Sequence, residues 1–375
     1  MAFQIFILFI VIFGGLFIAE SISQKKFSKL TVKRKVYPEK ISIGDEFNIE
    51  LTVENKNKSY IPYVIVKELI PENIIYKGEN SETKKGESWH VSRFSMEKLQ
   101  KRVRTYSLTS TKRGAYNIKN FTVTLGDTLG VNLDTKEDYN FVELIVYPKI
   151  KNINTFIFDT TNFQGDNSVR RWIHKDPMYI KGIREYSVDD RMKDIHWKSS
   201  LKANKLMVKD YDYTASEQLT MIISCQYGEF FWRDVNQELT ERAIDIAVSL
   251  GAKASKEGFE VGIWSNCQLI YINEEGSNEL KPVRGSFTQV LEYCARMSYV
   301  AKYDFESYLE NKISHFQREE TYVVIAPYMS EKVVEILSKL SYRGYRIKIV
   351  DISEDQSIPN IKGIDKIVYK GRKEI

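Results

Sequence analysis

Residues 219–224 read LTMIIS, a continuous apolar run that is typical of a strand buried on both faces of a sheet. An amphipathic helix is predicted directly after it, because apolar residues recur there at helical spacing. They are Val235, Leu239, Ala243, Ile246, Ala247, Leu250 and Ala254. Gly258 follows and predicts the end of that helix. A buried strand followed by such a helix indicates an α/β domain.

The rest of the C-terminal half continues this alternation. Further strands are predicted at residues 259–264, 269–272, 322–326 and 346–350. Further helices are predicted at residues 287–297 and 331–340. We therefore expect residues 213–375 to form a mostly parallel sheet with helices on both faces.

The N-terminal half has a different periodicity. Residues 47–53, FNIELTV, alternate apolar and polar side chains, as a strand with one buried face does. The same alternation occurs in residues 61–69, 103–108, 121–125 and 141–146, and turn-forming residues separate these segments. Residues 29–148 are therefore predicted to form an all-β, immunoglobulin-like sandwich. Residues 149–212 are then a connector.

The N-terminus carries an apolar run. Residues 2–19, AFQIFILFIVIFGGLFIA, contain no charged side chain and nearly match the length needed to span a bilayer. A cleaved signal peptide is the rival interpretation, but no basic residue precedes the run and no convincing cleavage site follows it. We predict a transmembrane anchor at residues 1–20.

The basic residues after this run predict its orientation. They are Lys25, Lys26, Lys29, Lys33, Arg34 and Lys35. By the positive-inside bias, the bulk of the chain is expected in the cytoplasm, as part of a single-pass protein of the cell membrane. Some of these side chains are alternatively expected on the exposed face of the first strand.

The composition excludes some functions and leaves others open. The chain of 375 residues has 55 Lys and Arg against 50 Asp and Glu, so the charges are mixed. No basic block is interleaved with aromatic residues, so a nucleic-acid partner is not favoured. The spacing of Cys225, Cys267 and Cys294 indicates neither a zinc site nor a disulfide framework. We expect each cysteine in a core, which fits a reducing compartment.

Residues 184–198, REYSVDDRMKDIHWK, form what we call the signature segment. Arg184 or Lys193 is expected to pair with Asp190 or Asp194, with aromatic side chains shielding the pair. Such a network would lock the junction between the domains, or present a surface to a protein partner. Catalysis by Asp190 or His196 is a third possibility. The candidate residues are Arg184, Tyr186, Asp190, Lys193, Asp194, His196, Trp197, Lys198 and Ser200.

This segment resembles a family pattern, R-x-Y-x-x-G-D-x-x-R-x-I-D-W-x-x-S. The matching residues are Arg184, Tyr186, Asp190, Ile195, Trp197 and Ser200, with Lys193 in place of Arg, His196 in place of Asp and Asp189 in place of Gly. A second match in the sandwich comprises residues 113–116, 126–130 and 146–148. The chain is thus similar to the bacterial family called domain of unknown function 58. That resemblance implies a membrane anchor, a β-sandwich and a von Willebrand factor A-like α/β domain.

The resemblance also raises the question of a metal site. Von Willebrand A domains often hold Mg²⁺ through an Asp-x-Ser-x-Ser loop after the first strand, where carboxylate and hydroxyl oxygens converge. Here Ser224 stands at the position of that Asp, and Thr288 alone matches a later hydroxyl ligand. We therefore predict no metal and no cofactor at this place. Asp351 is interpreted as an ordinary loop carboxylate.

No catalytic motif is found. The sequence lacks G-x-x-x-x-G-K-[ST], G-x-S-x-G and H-E-x-x-H, and its four histidines have no ligand spacing. We predict a membrane-anchored, non-enzymatic adaptor that docks a cytoplasmic protein. The family resemblance implies a MoxR-type AAA ATPase as that partner. The alternative is an envelope-facing module that contacts wall polymer or a surface protein.

Overall fold

The computed structural model describes residues 29–76, 81–84, 87–126, 133–160, 180–187, 190, 192–211, 218–233, 235–271, 277–283 and 285–372. The chain divides into two compact units, the first ending at Lys149 and also taking the segment that begins at Ile270. The predicted anchor, Lys25 and Lys26 lie outside the described residues. Within the described ranges, no helix is long and apolar enough to cross a membrane.

The first unit is built from strands. They are β1 (Leu30–Tyr37), β2 (Lys40–Ser42), β3 (Glu46–Asn55), β4 (Ile61–Ile70), β5 (Ile74–Tyr76), β6 (Ser81–Lys84), β7 (Glu87–Met96), β8 (Lys101–Ser110), β9 (Gly114–Ile118), β10 (Phe121–Gly126), β11 (Leu133–Asp138) and β12 (Val142–Tyr147). One sheet has the order β1-β3-β8-β5 and another β11-β10-β4-β7-β6. A third has the order β2-β12-β9.

The predicted sandwich character of this unit is confirmed. Strand β3 places Phe47, Ile49, Leu51 and Val53 in the interior while the residues between them face outward or are half-buried. These side chains pack against apolar residues of β4, β8 and β10. The alternation seen in the sequence therefore produces the core of the sandwich.

Arg34, one of the basic residues that follow the apolar run, is buried in the first unit. Its guanidinium lies 3.4 Å from the Glu68 carboxylate, and both side chains are shielded from solvent. Nη2 also donates to the carbonyls of Ile118, Lys119 and Asn140 at 2.7, 2.8 and 2.5 Å. The reason is strand alternation, which turns Arg34 inward while its neighbours in β1 face outward.

His90 and Tyr106 extend this buried polar cluster. The Tyr106 hydroxyl donates to the Glu68 carboxylate at 2.6 Å, and the His90 ring stacks on the Tyr106 ring at 3.9 Å. Burial lowers the pKa of His90 to about 4, and the positive charge of Arg104 acts in the same direction. Burial also raises the pKa of Glu68, although Tyr106 and Arg34 oppose that rise.

The second unit mixes strands and helices. Its strands are β13 (Phe156–Thr160), β14 (Ile180–Glu185), β15 (Met207–Tyr211), β16 (Gln218–Ile223), β17 (Glu260–Ser265), β18 (Cys267–Leu269), β19 (Glu279–Val283), β20 (Met297–Ala301), β21 (Glu320–Ala326), β22 (Arg346–Asp351) and β23 (Asp365–Arg372). Its α-helices are α1 (Trp197–Ala203), α2 (Gln237–Lys256), α3 (Phe287–Arg296), α4 (Phe305–Lys312) and α5 (Glu331–Tyr342).

A seven-stranded sheet with the order β13-β23-β22-β21-β16-β17-β19 organises this unit. The five central strands are parallel, and the two edge strands run antiparallel to their neighbours. One core cluster joins α2 and α3 to the sheet, and another joins α4 and α5 to it. In β16, Met221 belongs to the first cluster and Ile222 to the second, so the apolar run fills both cores.

Cys225 and Cys267 form a disulfide, with their Cα atoms 5.6 Å apart. The expectation that no disulfide is indicated is therefore wrong, although all three cysteines are buried as expected. The pairing follows from topology, since these cysteines come just after the carboxyl ends of the neighbouring strands β16 and β17. The sequence does not indicate that Cys225 and Cys267 are close in space, because they are 42 positions apart.

Candidate functional site

The signature segment lies in a small structure that we call the signature unit: β14, β15, helix α1 and the residues between them. Strands β14 and β15 pair antiparallel, and Ile195 forms a further bridge with Val208. Helix α1 begins after His196, whose Nδ1 accepts the Ser199 amide at 3.2 Å. It ends at Asn204, whose left-handed φ of 53° closes the helix.

Arg184 and Asp190 form a bidentate ion pair. Nη1 donates to Oδ2 at 2.6 Å and Nη2 donates to Oδ1 at 2.5 Å. The amide of Ser187 also donates to Oδ2, at 2.7 Å. The Arg184 hydrogen bonds and then the Ser187 amide hold the pKa of Asp190 below its usual value, so the carboxylate stays charged.

Ser200 attaches α1 to β15. The residue is buried, and its Oγ accepts the amide of Met207 at 2.8 Å. The amide of His196 donates to the carbonyl of Met207 at 2.8 Å as well. The amide and the carbonyl of Met207 are therefore both hydrogen-bonded to the helix or its cap. These two bonds fix the orientation of α1 relative to β15.

The outward side of the signature unit carries large apolar side chains. Trp197 and Leu201, one helical turn apart on α1, are 62% and 84% exposed, and Met192 in the preceding turn is 70% exposed. Lysines are their neighbours in the sequence: Lys193, Lys198 and Lys202 are all exposed. The surface therefore combines apolar side chains with positive charge on a hydrogen-bonded frame.

The structure separates the predicted site residues into two groups. Arg184, Asp190, His196 and Ser200 build the frame, whereas Trp197, Lys193 and Lys198 form the exposed surface. Tyr186 is half-buried and its amide donates to the carbonyl of Leu206 at 2.9 Å, while Asp194 is half-buried. Trp197 is largely in solvent, so the expectation that it shields the ion pair is wrong.

Two exposed residues of the signature unit were not among the predicted site residues. Met192 lies in a three-residue 3₁₀ turn, and Leu201 follows the signature segment. The spacing of four residues between Trp197 and Leu201 is the signal that indicates a shared helical face. A further ion pair, from Lys205 to Glu185 at 2.7 Å, joins the turn between α1 and β15 to the end of β14.

The possible metal position at the end of β16 has a different construction. Ser224 is buried, its amide donates to the carbonyl of Ile325, and its Oγ accepts the amide of Gln226. Thr288 is exposed on α3. Among the residues that the structure describes, no group of three or more His, Cys, Asp or Glu side chains is arranged to hold a metal ion.

Asp351 is not an ordinary loop carboxylate, and that interpretation is wrong. It is the last residue of β22 and is fully buried, with its Oδ2 2.9 Å from Nζ of Lys366. Its Oδ1 accepts the Ser353 hydroxyl at 2.5 Å and the Ser353 amide at 3.0 Å. Burial of an ion pair of this kind is tolerated because hydrogen bonds to Oδ1 add to the attraction of the lysine.

Residues 182–365 match the family model described as "Protein of unknown function DUF58". The match contains most of the signature unit and most of the seven-stranded sheet, so this part of the chain is similar to DUF58 proteins. The family description assigns no activity.

One curated relative and two solved structures illustrate the similarity. The uncharacterized protein YeaD of Bacillus subtilis is 20% identical over 250 residues, which cover 66% of this chain and 59% of the relative. A CARDB domain from Pyrococcus furiosus is 21% identical and covers 31% of this chain and 91% of that domain, with a TM-score of 0.22. A cohesin module from Clostridium perfringens is 17% identical over 32% of this chain and 97% of the module, with a TM-score of 0.21.

Proposed function

We propose that this chain is a membrane-anchored, non-enzymatic interaction protein whose signature unit docks a protein partner. The observation that carries the proposal is the exposure of Trp197 and Leu201 together on one face of α1. Large apolar side chains in solvent are unfavourable in isolation and are common at the centres of protein interfaces. The anchor at residues 1–20 remains a prediction from the sequence.

The frame beneath these side chains supports a docking role. The Arg184–Asp190 pair and the Ser200–Met207 hydrogen bonds hold α1 in one orientation. A surface that is ordered before binding loses less conformational entropy when a partner arrives. In this proposal Arg184, Asp190 and Ser200 therefore have a supporting role.

The charge of the surface indicates the kind of partner. Lys193, Lys198 and Lys202 are exposed and lie close in sequence to the apolar pair, so an acidic protein surface with an apolar centre would complement it. The resemblance to DUF58 proteins supports a MoxR-type AAA ATPase as that protein. The parallel sheet with helices on both faces is compatible with a von Willebrand A-like identity for the second unit.

Titration of a purified MoxR-type AAA ATPase from the same organism against the full chain tests the proposal. Truncation of a central interface tryptophan costs about 2–4 kcal/mol, so Trp197→Ala should weaken binding roughly 30-fold or more. Trp232→Ala is the matched control, because Trp232 is 67% exposed but lies outside the signature unit. Equal binding by wild type and Trp197→Ala would contradict the proposal.

The envelope-facing alternative is favoured by a separate observation, the Cys225–Cys267 disulfide. Cytoplasmic thiols are kept reduced, whereas disulfides persist outside the cytoplasm. The lysines after the apolar run favour the opposite orientation. A reporter fused after Ile375 decides between them: activity restricted to the cytoplasm supports the adaptor, and activity outside supports the envelope module.

A further inference from the structure

A crevice lies where the strand order of the second unit reverses. From β16 the chain first continues to β17, which lies on one side of β16. It later returns to β21 on the other side of β16 and continues outward to β22 and β23. In open α/β sheets, ligands bind at the carboxyl ends of the strands at such a reversal. Here the crevice has a volume of about 450 Å³ and is lined by residues that follow β16, β21 and β22.

Aromatic and apolar side chains form part of its wall. Tyr227 and Tyr328 are half-buried there, and Met329 is buried. The Tyr227 hydroxyl is hydrogen-bonded to the hydroxyl of Thr240, so this ring is fixed in place. Walls of this kind can pack against an aliphatic chain, and ring faces attract a cationic head group.

Two carboxylates stand at the same crevice. Glu354 and Asp355 lie in the loop after β22, and both are exposed. Within the part of the chain that the structure describes, neither side chain has a hydrogen bond or an ion pair. They are therefore available to a ligand.

Three cations on the bordering elements are paired with other acids, and Arg233, in the loop after β16, forms no ion pair with Glu354 or Asp355. The pairs are Lys366–Asp351, Arg242–Glu238 and Lys332–Glu306, with N–O distances of 2.9, 3.1 and 2.8 Å. None of these cations forms an ion pair with Glu354 or Asp355. Within the described residues, the crevice therefore keeps two negative charges without a paired counter-charge.

The helix ends at the crevice do not reverse this balance. Helices α2 and α5 begin at this edge, and their first turns are capped by the side chains of Asn236 and Ser330. Each helix N-terminus contributes at most about half a positive charge, so two of them offset only one of the two carboxylates. An anion is therefore disfavoured and a cation favoured.

The donor set selects an organic cation over a metal. A divalent metal ion needs about six oxygen ligands in a compact arrangement. Glu354 and Asp355 supply two carboxylates, whereas Oδ1 of Asn236 and Oγ of Ser353 already accept backbone amides. An ammonium or guanidinium group needs one or two carboxylates and benefits from the rings.

We propose that this crevice binds an organic cation, namely a primary ammonium or guanidinium group on an aliphatic stem. A free polyamine and a lysine or arginine side chain of a protein share this chemistry. The site is separate from the docking surface around Trp197 and does not depend on the function proposed for that surface.

Isothermal titration of the purified full chain tests the inference with two probes. One probe is spermidine, and the other is a short blocked peptide with a single lysine, compared with the same peptide carrying norleucine. The variant Glu354→Gln/Asp355→Asn should weaken the binding of a cationic probe at least tenfold. The control Glu257→Gln/Glu319→Gln removes two exposed charges from the opposite edge of the sheet and should change affinity less than twofold.

The outcomes separate the sources and can overturn the site. Binding of spermidine alone identifies a free amine as the ligand, binding of the lysine peptide alone identifies a protein side chain, and binding of both supports the shared chemistry. The inference is overturned if neither probe binds the wild type, or if the norleucine peptide binds as tightly as the lysine peptide. It is also overturned if the control variant weakens binding as much as the crevice variant.

Discussion

The Arg184 guanidinium donates two parallel hydrogen bonds to the Asp190 carboxylate, at 2.6 and 2.5 Å. The two residues are six positions apart in the sequence, so the pair ties the end of β14 to the turn that precedes α1. The Ser187 amide adds a third hydrogen bond to the same carboxylate. This geometry uses the planar fork of arginine, which lysine does not have.

Arg184→Lys should therefore disturb the signature unit without unfolding the chain. We expect the pKa of Asp190 to rise towards its ordinary value, because the bidentate hydrogen bonds that lower it are lost. We also expect partner binding at Trp197 to weaken several-fold, since α1 is held less firmly. A pH titration of the Asp190 carboxyl carbon by NMR measures the first effect.

The neighbouring pair supplies the control for this variant. Lys205→Gln removes the ion pair with Glu185 in the same signature unit and should leave the titration of Asp190 unchanged. The contribution of the Arg184–Asp190 pair should be present above the ordinary aspartate pKa of about 4 and lost as pH falls through the lowered pKa. An Asp190 titration that is the same in the Arg184→Lys variant as in the wild type would contradict the assignment.

The sequence predicted this pair as one of several combinations, because Arg184, Lys193, Asp190 and Asp194 have complementary charges within a short segment. Only the structure selects the partner, since the choice depends on the turn between β14 and α1. The sequence did not predict that Leu201 is exposed either. That exposure depends on which face of α1 the Ser200 hydrogen bonds turn towards β15.

At the level of the fold, periodicity predicted β16, α2 and α5, where a long apolar pattern repeats. It missed α4, whose eight residues are too few for a clear helical period. It also missed the edge strand β19, since an edge strand buries fewer side chains. Of the predicted strand at residues 269–272, Leu269 ends β18 and Ile272 lies outside the described residues.

The Cys225–Cys267 disulfide predicts a thiol count. The unfolded chain without reductant should present one reactive thiol, from Cys294, and the reduced chain should present three. Closing a loop between residues 42 apart stabilises a fold by roughly 3–4 kcal/mol in the chain-entropy account, so reduction should lower the free energy of unfolding of the second unit by about that amount. Three reactive thiols without reductant would contradict the pairing, and Cys294→Ser serves as the control that leaves it intact.

The lowered pKa of His90 predicts that acid weakens the sandwich. The unfolded chain binds a proton at His90 near pH 6.5, whereas the folded chain binds it only near pH 4. The contribution of His90 to the free energy of unfolding is therefore fully present above pH 6.5. It is lost as the pH falls from 6.5 towards 4. The raised pKa of Glu68 acts in the opposite direction, because the folded state then takes up that proton more readily.

His90→Phe isolates the histidine from Glu68. The variant keeps a ring that can stack on Tyr106 but cannot bind a proton. Urea unfolding at pH 7 and pH 5, followed by hydrogen exchange of the β4 and β7 amides, should show a smaller loss of stability on acidification in the variant than in the wild type. An equal loss in both proteins would assign the acid sensitivity to other groups.

Gly262 predicts a further stability effect, in the second unit. A Cβ atom at this position of β17 would lie 2.6 Å from the Thr220 hydroxyl and 2.8 Å from the carbonyl oxygen of Leu280. The carbonyl belongs to the neighbouring strand β19 and cannot rotate away, so Gly262→Ala must displace one of the two strands. We expect a loss of about 1–3 kcal/mol in the free energy of unfolding, as for other overpacked cores.

Gly182→Ala is the matched control for this change. A Cβ at Gly182 would meet no atom within 4 Å, so the same substitution should alter stability by less than about 0.5 kcal/mol. Urea unfolding of both variants, followed by hydrogen exchange of the β16 and β17 amides, measures the difference. Equal stability of the two variants would mean that β19 does not press against β17 at Gly262. The edge of the seven-stranded sheet would then have a different register from the pairing of Ile263 with Leu280.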